Sequence, residues 1–520
     1  MLAVISSHAP MGVDGVLIDV EVDIRSGLPG VEIVGLPDSA VREARERVRV
    51  AIRNSGFRFP AERILVNLAP AGIRKEGSSY DLPIALGVLS ASGQVPHPRS
   101  GSVMVLGELN LCGEVRPVNG VLSAVGCGLQ RGTETFFVPR DNLAEARALK
   151  RGTVLGISCL RQAAELFLRL AGGARAGAPQ EDPPPSSMEG GEEPEPGCGD
   201  LRDIRGHRLL KRALEIAAAG RHHLLLFGPP GSGKTMAARR LPGLLPPLSW
   251  EESLTVTRIY SIAGLLPRQT GLIRHPPFRS PHHSASSEGI IGGGPAPRPG
   301  EVSLAHEGIL FLDEAAEFKA SLLQSLREPV EEGRVRIARA GSTVEFPASI
   351  QLLLASNPCP CGNLGRENAV CVCSASEVWR YWRKLGGALL DRIDMRIPLK
   401  PVAAGEMLGE GGEPSNAVRA RVSRAIAVQR ERYRRRLFSR NSRIPPGDVE
   451  TYCLLDGECR GLLLQAAEKC SLSSRALHSI LKVARTIADL EGSESIRRDH
   501  LLEAVQYRRY GDGDFYWSCR

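Results

Sequence analysis

The chain has 520 residues, 42% apolar and 24% charged, the composition of a soluble globular protein with length for three or four domains. No stretch reaches the roughly 18 apolar residues of a membrane span, and Asp14 and Asp19 break the opening where a secretory leader needs an apolar core. A membrane protein is thereby excluded and a cytoplasmic one expected, while a formal net charge of +8 permits nucleic acid as a partner without requiring it.

Residues 1–170 alternate strand-like and helical runs, as a compact α/β domain does. Val16 to Ile24 and Ile64 to Leu68 read as strands, and Ser39 to Ser55 as an amphipathic helix. Gly107-Glu108-Leu109, Gly113, Pro117 and Gly120 resemble the proteolytic domain of Lon. The resemblance sets Ser79, within Lys75-Glu76-Gly77-Ser78-Ser79, at the nucleophile's position, and it sets Leu122 where the lysine base belongs. A leucine cannot take a proton from a hydroxyl, so a scaffold or partner-binding domain is expected and a peptidase is not. Residues 171–199, with Pro183-Pro184-Pro185 and almost no large apolar side chains, read as a disordered linker ending near a solvated Cys198.

Residues 200–400 read as a nucleoside-triphosphatase core. After a helix over Leu209 to Ala219, the apolar run Leu224 to Phe227 breaks into Gly228-Pro229-Pro230-Gly231-Ser232-Gly233-Lys234-Thr235, a P-loop. Its glycines let backbone N–H groups converge on the phosphates of ATP, Lys234 reaches the β- and γ-phosphates, and the Thr235 hydroxyl ligates Mg²⁺. A second buried run, Ile309 to Leu312, delivers Asp313 for the Mg²⁺ shell and Glu314 to polarise the attacking water. A third, Ile350 to Ala355, delivers Asn357 to the strand end where open α/β sheets bind ligands.

Between the second and third runs, Arg334 to Arg339 and Thr343 to Phe346 alternate with period two around Ala340-Gly341-Ser342, the pattern of a hairpin. It resembles the pre-sensor-1 hairpin of helicase-like AAA+ rings, which implies that Arg336 and Arg339 contact DNA phosphates; otherwise they belong to a solvated basic edge. The segment 262–300, rich in Gly, Pro and His, neighbours it, and His282 and His283 read as structural or phosphate-near residues. Twelve cysteines are too dilute for a secreted disulfide framework, but four cluster after Asn357 as Cys359-Pro360-Cys361 and Cys371-Val372-Cys373. Two such pairs can close a tetrahedral structural zinc site or remain reduced thiols, the Cys-x-Cys spacing being less common than Cys-x₂-Cys.

Residues 401–510 follow a Gly-rich interruption from Gly405 to Glu413 and read as a helical lid. Its first helix and the segment after it carry ten arginines from Arg419 to Arg443 and one acid, Glu431. They form either a phosphate-backbone stripe or a face that answers acidic neighbours. The last residues, Gly511 to Arg520, read as a frayed tail.

Asn357 resembles the sensor-1 asparagine of AAA+ ATPases. Leu389-Leu390-Asp391-Arg392-Ile393-Asp394 resembles the arginine-finger segment of the magnesium-chelatase and replicative-helicase branch, and Ser474-Arg475-Ala476 the start of the sensor-2 helix. The resemblance implies that Arg392 acts on a neighbour's nucleotide, that Arg475 reaches nucleotide from the lid, and that copies form a ring, usually a hexamer. With Pro277-Phe278-Arg279-Ser280-Pro281-His282-His283, Gly292-Gly293-Gly294 and Pro299 to His306 leading into the acidic pair, the whole chain resembles the magnesium-chelatase-like AAA+ proteins called ComM or YifB. The family implies a DNA-encircling ATPase with helicase or translocase action, of the kind used for branch migration in natural transformation. The alternative is a chelatase-like motor that remodels a protein partner.

Overall fold

The protein is described from a computed structural model covering residues 2–96, 102–171, 199–267, 270–294, 297–339, 342–366, 369–402, 405 and 412–508. The expected linker, apart from its two end residues, lies outside the described residues, as do Cys198 and the tail from Gly511.

Two sheets organise the chain. The front sheet comprises β1 (Leu2–Met11), β2 (Asp14–Arg25), β3 (Gly30–Val34), β4 (Arg63–Ala69), β5 (Val103–Val105), β6 (Thr135–Pro139) and β7 (Thr153–Ile157), in the order β3-β4-β2-β1-β5-β6-β7. β1 and β2 pair antiparallel from Leu2↔Asp23 to Met11↔Asp14. Along β2, Ile18, Val20 and Val22 are buried while the acids between them face the other way, the period-two pattern of a strand with one covered face. The helix expected from Ser39 is α1 (Ser39–Asn54), whose first turn is closed by Asp38 accepting the Val41 N–H at 2.8 Å, with Val41, Ala44, Val48 and Ile52 turned inward. Beneath it, α2 (Asp81–Ala91) is buried on every side.

The core sheet comprises β8 (Leu224–Phe227), β9 (Phe278–Arg279), β10 (Ile309–Leu312), β13 (Gln351–Ser356) and β14 (Met395–Pro398), all parallel, in the order β9-β10-β13-β8-β14. A separate antiparallel hairpin, β11 (Arg334–Arg339) and β12 (Ser342–Pro347), stands between β10 and β13 in the chain. Parallel strands are covered on both faces and therefore read as unbroken apolar runs, as β8 and β10 do. They also end at one edge, which is where a ligand site assembles.

Around this sheet run α4 (Arg208–Gly220), α5 (Lys234–Arg240), α6 (Trp250–Ala263), α7 (Arg327–Glu332) and α8 (Ala375–Arg383), followed by α9 (Ser415–Arg432), α10 (Ser474–Leu490) and α11 (Arg498–Arg508). The C-terminal helices share one core with α4 and the sheet: Val418, Val422 and Ile426 of α9 and Ile480, Val483 and Ile487 of α10 pack with Leu210 and Leu214. The fold is thus the expected α/β core with a helical C-terminal region. Among the described residues no helix is long and apolar enough to cross a membrane.

The front sheet docks on the core through a further helix, α3 (Val121–Gln130), against α6. Buried Glu145 accepts the Leu122 N–H at 2.8 Å and the Ser261 hydroxyl, and Ser261 Oγ accepts the Gly120 N–H at 2.9 Å. Arg258 reaches Asp14 at 3.3 Å beside them.

Candidate functional site

Gly228 follows β8 directly, and no side chain fits there: a Cβ would lie 2.2 Å from the Leu399 carbonyl oxygen. Gly231 and Gly233 hold φ of 80° and 85°, left-handed values open to glycine, and the turn they permit returns the chain into α5 at Lys234. The buried Lys234 ammonium donates to the carbonyls of Gly228 at 2.7 Å and Pro229 at 2.9 Å, and to Asn357 Oδ1 at 3.2 Å. Burial lowers its pKa, against the charges of Asp313 and Glu314. The Thr235 hydroxyl donates to Asp313 Oδ2 at 2.7 Å. Lys234, Thr235, Asp313 and Asn357 thus arrive from three strand ends and meet in two bonded pairs, Lys234 with Asn357 and Thr235 with Asp313.

These residues suit a magnesium nucleotide. The Ser232 hydroxyl is buried with no partner among the described residues, and such a group costs stability unless something bonds it. Phosphate oxygens would bond it, and Lys234 can exchange neutral carbonyls for an anion. Thr235 and Asp313 form an adjacent pair of hard oxygen ligands for Mg²⁺.

Glu314 takes a left-handed φ of 49° and presents a half-exposed carboxylate beside His283, whose Nδ1 lies 3.9 Å from Oε2. His283 lies against His282 with ring centroids 4.1 Å apart and the ring planes tilted by 33°. The His-His pair therefore flanks the acidic pair, a juxtaposition that spacing along the chain cannot display.

Arg392 and Arg475 converge on one carboxylate. Glu331, at the end of α7, accepts from Arg392 Nε at 3.0 Å and from a terminal nitrogen of each arginine. Desolvation raises the Glu331 pKa, but the two guanidinium groups outweigh it and hold the carboxyl below its usual range. Among the described residues neither arginine bonds to the P-loop, so Arg475 stands beside Arg392 and away from the loop of its own chain. The neighbouring acids tie this segment down: the Ser473 hydroxyl and Arg508 donate to Asp391, while buried Asp394 accepts the Ser479 hydroxyl at 2.7 Å and the His223 N–H at 3.2 Å.

The sulfur atoms of Cys359, Cys361, Cys371 and Cys373 all lie within 4.8 Å of one another. Three of their separations are 3.4, 3.7 and 3.6 Å, close to the ~3.8 Å edge of a tetrahedron with Zn–S bonds near 2.3 Å. The donor set and its geometry therefore fit zinc. The loop also touches the nucleotide site, because a Cβ on Gly362 would come within 2.9 Å of Pro230 Cδ.

The hairpin forms with Arg336 paired opposite Glu345. Ser342, expected in the turn, instead belongs to β12, because it pairs with Arg339. Ala340 and Gly341 lie outside the described residues. Arg336 is exposed and flanked by carboxylates, Glu345 at 3.3 Å and Glu332 at 3.5 Å. The arginines of α9 are also largely answered within the chain: Arg421 by Glu215 and Glu413, Arg432 by Asp489, and Arg430 by Glu252. Arg440 is buried and Arg443 partly so, and desolvation lowers both pKa values to about 10. In the front half, Leu122 on α3 is fully buried, and the Ser78 hydroxyl donates to Glu108.

Comparison with known proteins agrees with this geometry. Family models for "Magnesium chelatase, subunit ChlI" and its C-terminal region match residues 200–407 and 412–508, and a further model for subunit ChlI of Mg-chelatase matches 20–142. The YifB protein of Escherichia coli is 42% identical over 98% of this chain and 97% of its own length. Competence protein ComM of Haemophilus influenzae is 40% identical over the same shares. The magnesium-chelatase 38 kDa subunit of Rhodobacter capsulatus is 25% identical over 57% of this chain and 83% of its own, and Lon protease 2 of Bacillus subtilis is 26% identical over a quarter of this chain.

Proposed function

The chain belongs to the ComM/YifB family of magnesium-chelatase-like AAA+ ATPases, and on that premise we propose that it is an ATP-hydrolysing ring that works on DNA. The observation that carries hydrolysis is the meeting of Lys234, Thr235, Asp313 and Asn357 at one sheet edge, with Glu314 and His283 beside it. Gly228 to Thr235 cradle the phosphates, Lys234 places its charge against the β- and γ-phosphates, Asn357 orients water and Glu314 polarises it. Mg²⁺, held through Thr235 and Asp313, supplies neutralisation of phosphate charge.

Arg392 serves a second copy. Its guanidinium rests on Glu331 of its own chain, so a phosphate has to be brought to it from outside, and Arg475 on the same carboxylate is delivered with it. A closed ring of identical interfaces results, a hexamer by family resemblance. The domain limits are 1–170, 171–199, 200–400 and 401–510, with the front domain as a docking unit for a protein partner and the cysteine cluster as a structural zinc site. The name of the competence relative supports DNA as the client. Arg336 and Arg339 would grip phosphates once Arg336 leaves Glu345 and Glu332.

A second reading, a motor that remodels a protein, is favoured by the match to the Rhodobacter magnesium-chelatase subunit. ATP turnover with and without single-stranded and forked DNA at two salt concentrations separates the two, with Lys234→Ala as the inactive control. DNA stimulation that weakens with salt is expected. Turnover that needs Lys234 and ignores DNA at low salt would put the protein client first.

A further inference from the structure

We propose that the exposed face of α8, built on Trp379, Arg380 and Arg383, is a stacking platform for a single DNA strand; the proposal rests on DNA being the client of the ATPase.

The sequence of α8 has two faces. Val378, Tyr381 and Trp382 are buried, while Trp379 leaves 61% of its surface in solvent, unusual for so large an apolar ring. One turn on, the Arg383 guanidinium lies 5.0 Å from the Trp379 ring centroid, a cation held against an aromatic surface. Arg380 is exposed alongside. Among the described residues neither Arg380 nor Arg383 has a carboxylate within ion-pair distance. Glu377, the nearest acid along the helix, feels the charge of Arg380 but is bonded at the start of α8, where it accepts the Ser374 N–H at 2.8 Å and the Ser374 hydroxyl at 2.9 Å. Lys384, at the helix end, pairs with Glu317 at 3.9 Å. The loop leading into the helix adds Val370 and Val372, which are 82% and 81% exposed.

What distinguishes Arg380 and Arg383 is the exposed indole between them. Arg334, Arg336, Arg421 and Arg432 each meet an acid. Two guanidinium groups without a paired acid, set around an exposed indole, fit a ligand that alternates anionic and flat aromatic units, which is a single nucleic-acid strand. A base stacks on Trp379 and the phosphates to either side meet Arg380 and Arg383. A duplex keeps its base faces covered and cannot use the ring.

The buried face of α8 links this platform to the nucleotide site. Trp382 Nε1 donates to the Pro358 carbonyl at 3.0 Å, next to Asn357, and its ring meets Phe227 edge-on at 5.9 Å, next to Gly228. A strand bound on α8 therefore bears on two of the three partners of Lys234, Asn357 and the Gly228 carbonyl.

The test is fluorescence anisotropy of a labelled thymidine oligonucleotide, and of the same strand carrying abasic sites, with the full chain and a non-hydrolysable ATP analogue. Trp379→Ala should weaken thymidine binding roughly tenfold and remove the preference for bases over abasic sites, while Trp379→Phe retains most of both. Replacing Arg380 and Arg383 by Ala should lower the slope of log K against log salt by about 1.4, two phosphate contacts. If the unaltered chain prefers thymidine and Trp379→Ala keeps that preference, this inference fails and the DNA reading stands. If the unaltered chain binds no DNA, both fail. If sedimentation shows that Trp379→Ala loses self-association together with DNA binding, α8 is a contact between copies and the inference is overturned.

Discussion

Lys75 and Lys234 sit in different halves of the molecule under similar conditions. Each is buried, each donates to backbone carbonyls, of Pro70 for the one and of Gly228 and Pro229 for the other, and burial lowers the pKa of each. Each also lies within four residues of a hydroxyl in a glycine-containing loop. The difference is what other strands bring. Around Lys234, β10 and β13 deliver Asp313 and Asn357, whereas in the front half the Ser78 hydroxyl is taken by Glu108 and Leu122 on α3 is fully buried. A lysine and a hydroxyl become a reactive site only when neighbouring strand ends supply the remaining groups.

The comparison breaks most visibly in turnover. Lys234→Ala should lower ATP hydrolysis by roughly 10³-fold, while Lys75→Met should leave it within about twofold and affect only stability; steady-state kinetics on both variants decides. Next in size, Glu314→Gln should cost about 10²-fold in turnover with nucleotide affinity unchanged, the mark of a group used only in the chemical step. Titration with a fluorescent ATP analogue checks the second half.

The difference is partly legible in the sequence. The P-loop, the acidic pair and Asn357 each follow a short apolar run, and local chain chemistry suffices to find them. α2 has no amphipathic stripe to find, because it is buried on all sides. Glu331 carries no motif, and its relevance comes from contacts across the fold with Arg392 and Arg475; His283 stands in a recognisable stretch, but its approach to Glu314 is set by the fold. The basic run after Arg419 reads as either a DNA stripe or an internally matched face. Only the packing of α9 on α4 and α10, which sets Arg421 on Glu215 and Arg432 on Asp489, chooses between them.

A structural zinc in the cysteine cluster predicts about one ion per chain by elemental analysis, and Cys371→Ser should lower Tm by about 5 °C, about 2 kcal/mol for a domain of this size. Because Gly362 abuts Pro230, the same variant should also loosen nucleotide binding several-fold, which serine at Cys112, Cys127 or Cys159 of the front half should not do. The smallest effect concerns the joint between the halves. Burial raises the Glu145 pKa, against hydrogen bonds from Ser261, Leu122 and Asn142. The folded chain thus keeps a proton that the unfolded chain releases, and stability falls as pH rises from the usual carboxylate range through the raised value. Glu145→Gln should flatten that fall in melting curves taken from pH 4 to pH 8.

In the proposed ring the site around Lys234 is completed by Arg392 of another copy. Mixing Lys234→Ala chains with Arg392→Ala chains tests it most directly. Each variant alone should be nearly inactive, Arg392→Ala by about 10³-fold. The mixture should regain turnover, because interfaces form in which one chain supplies Lys234 and the other Arg392. If the mixture stays as inactive as its parts while sedimentation shows the two variants assembling together, Arg392 serves its own chain and the account is wrong.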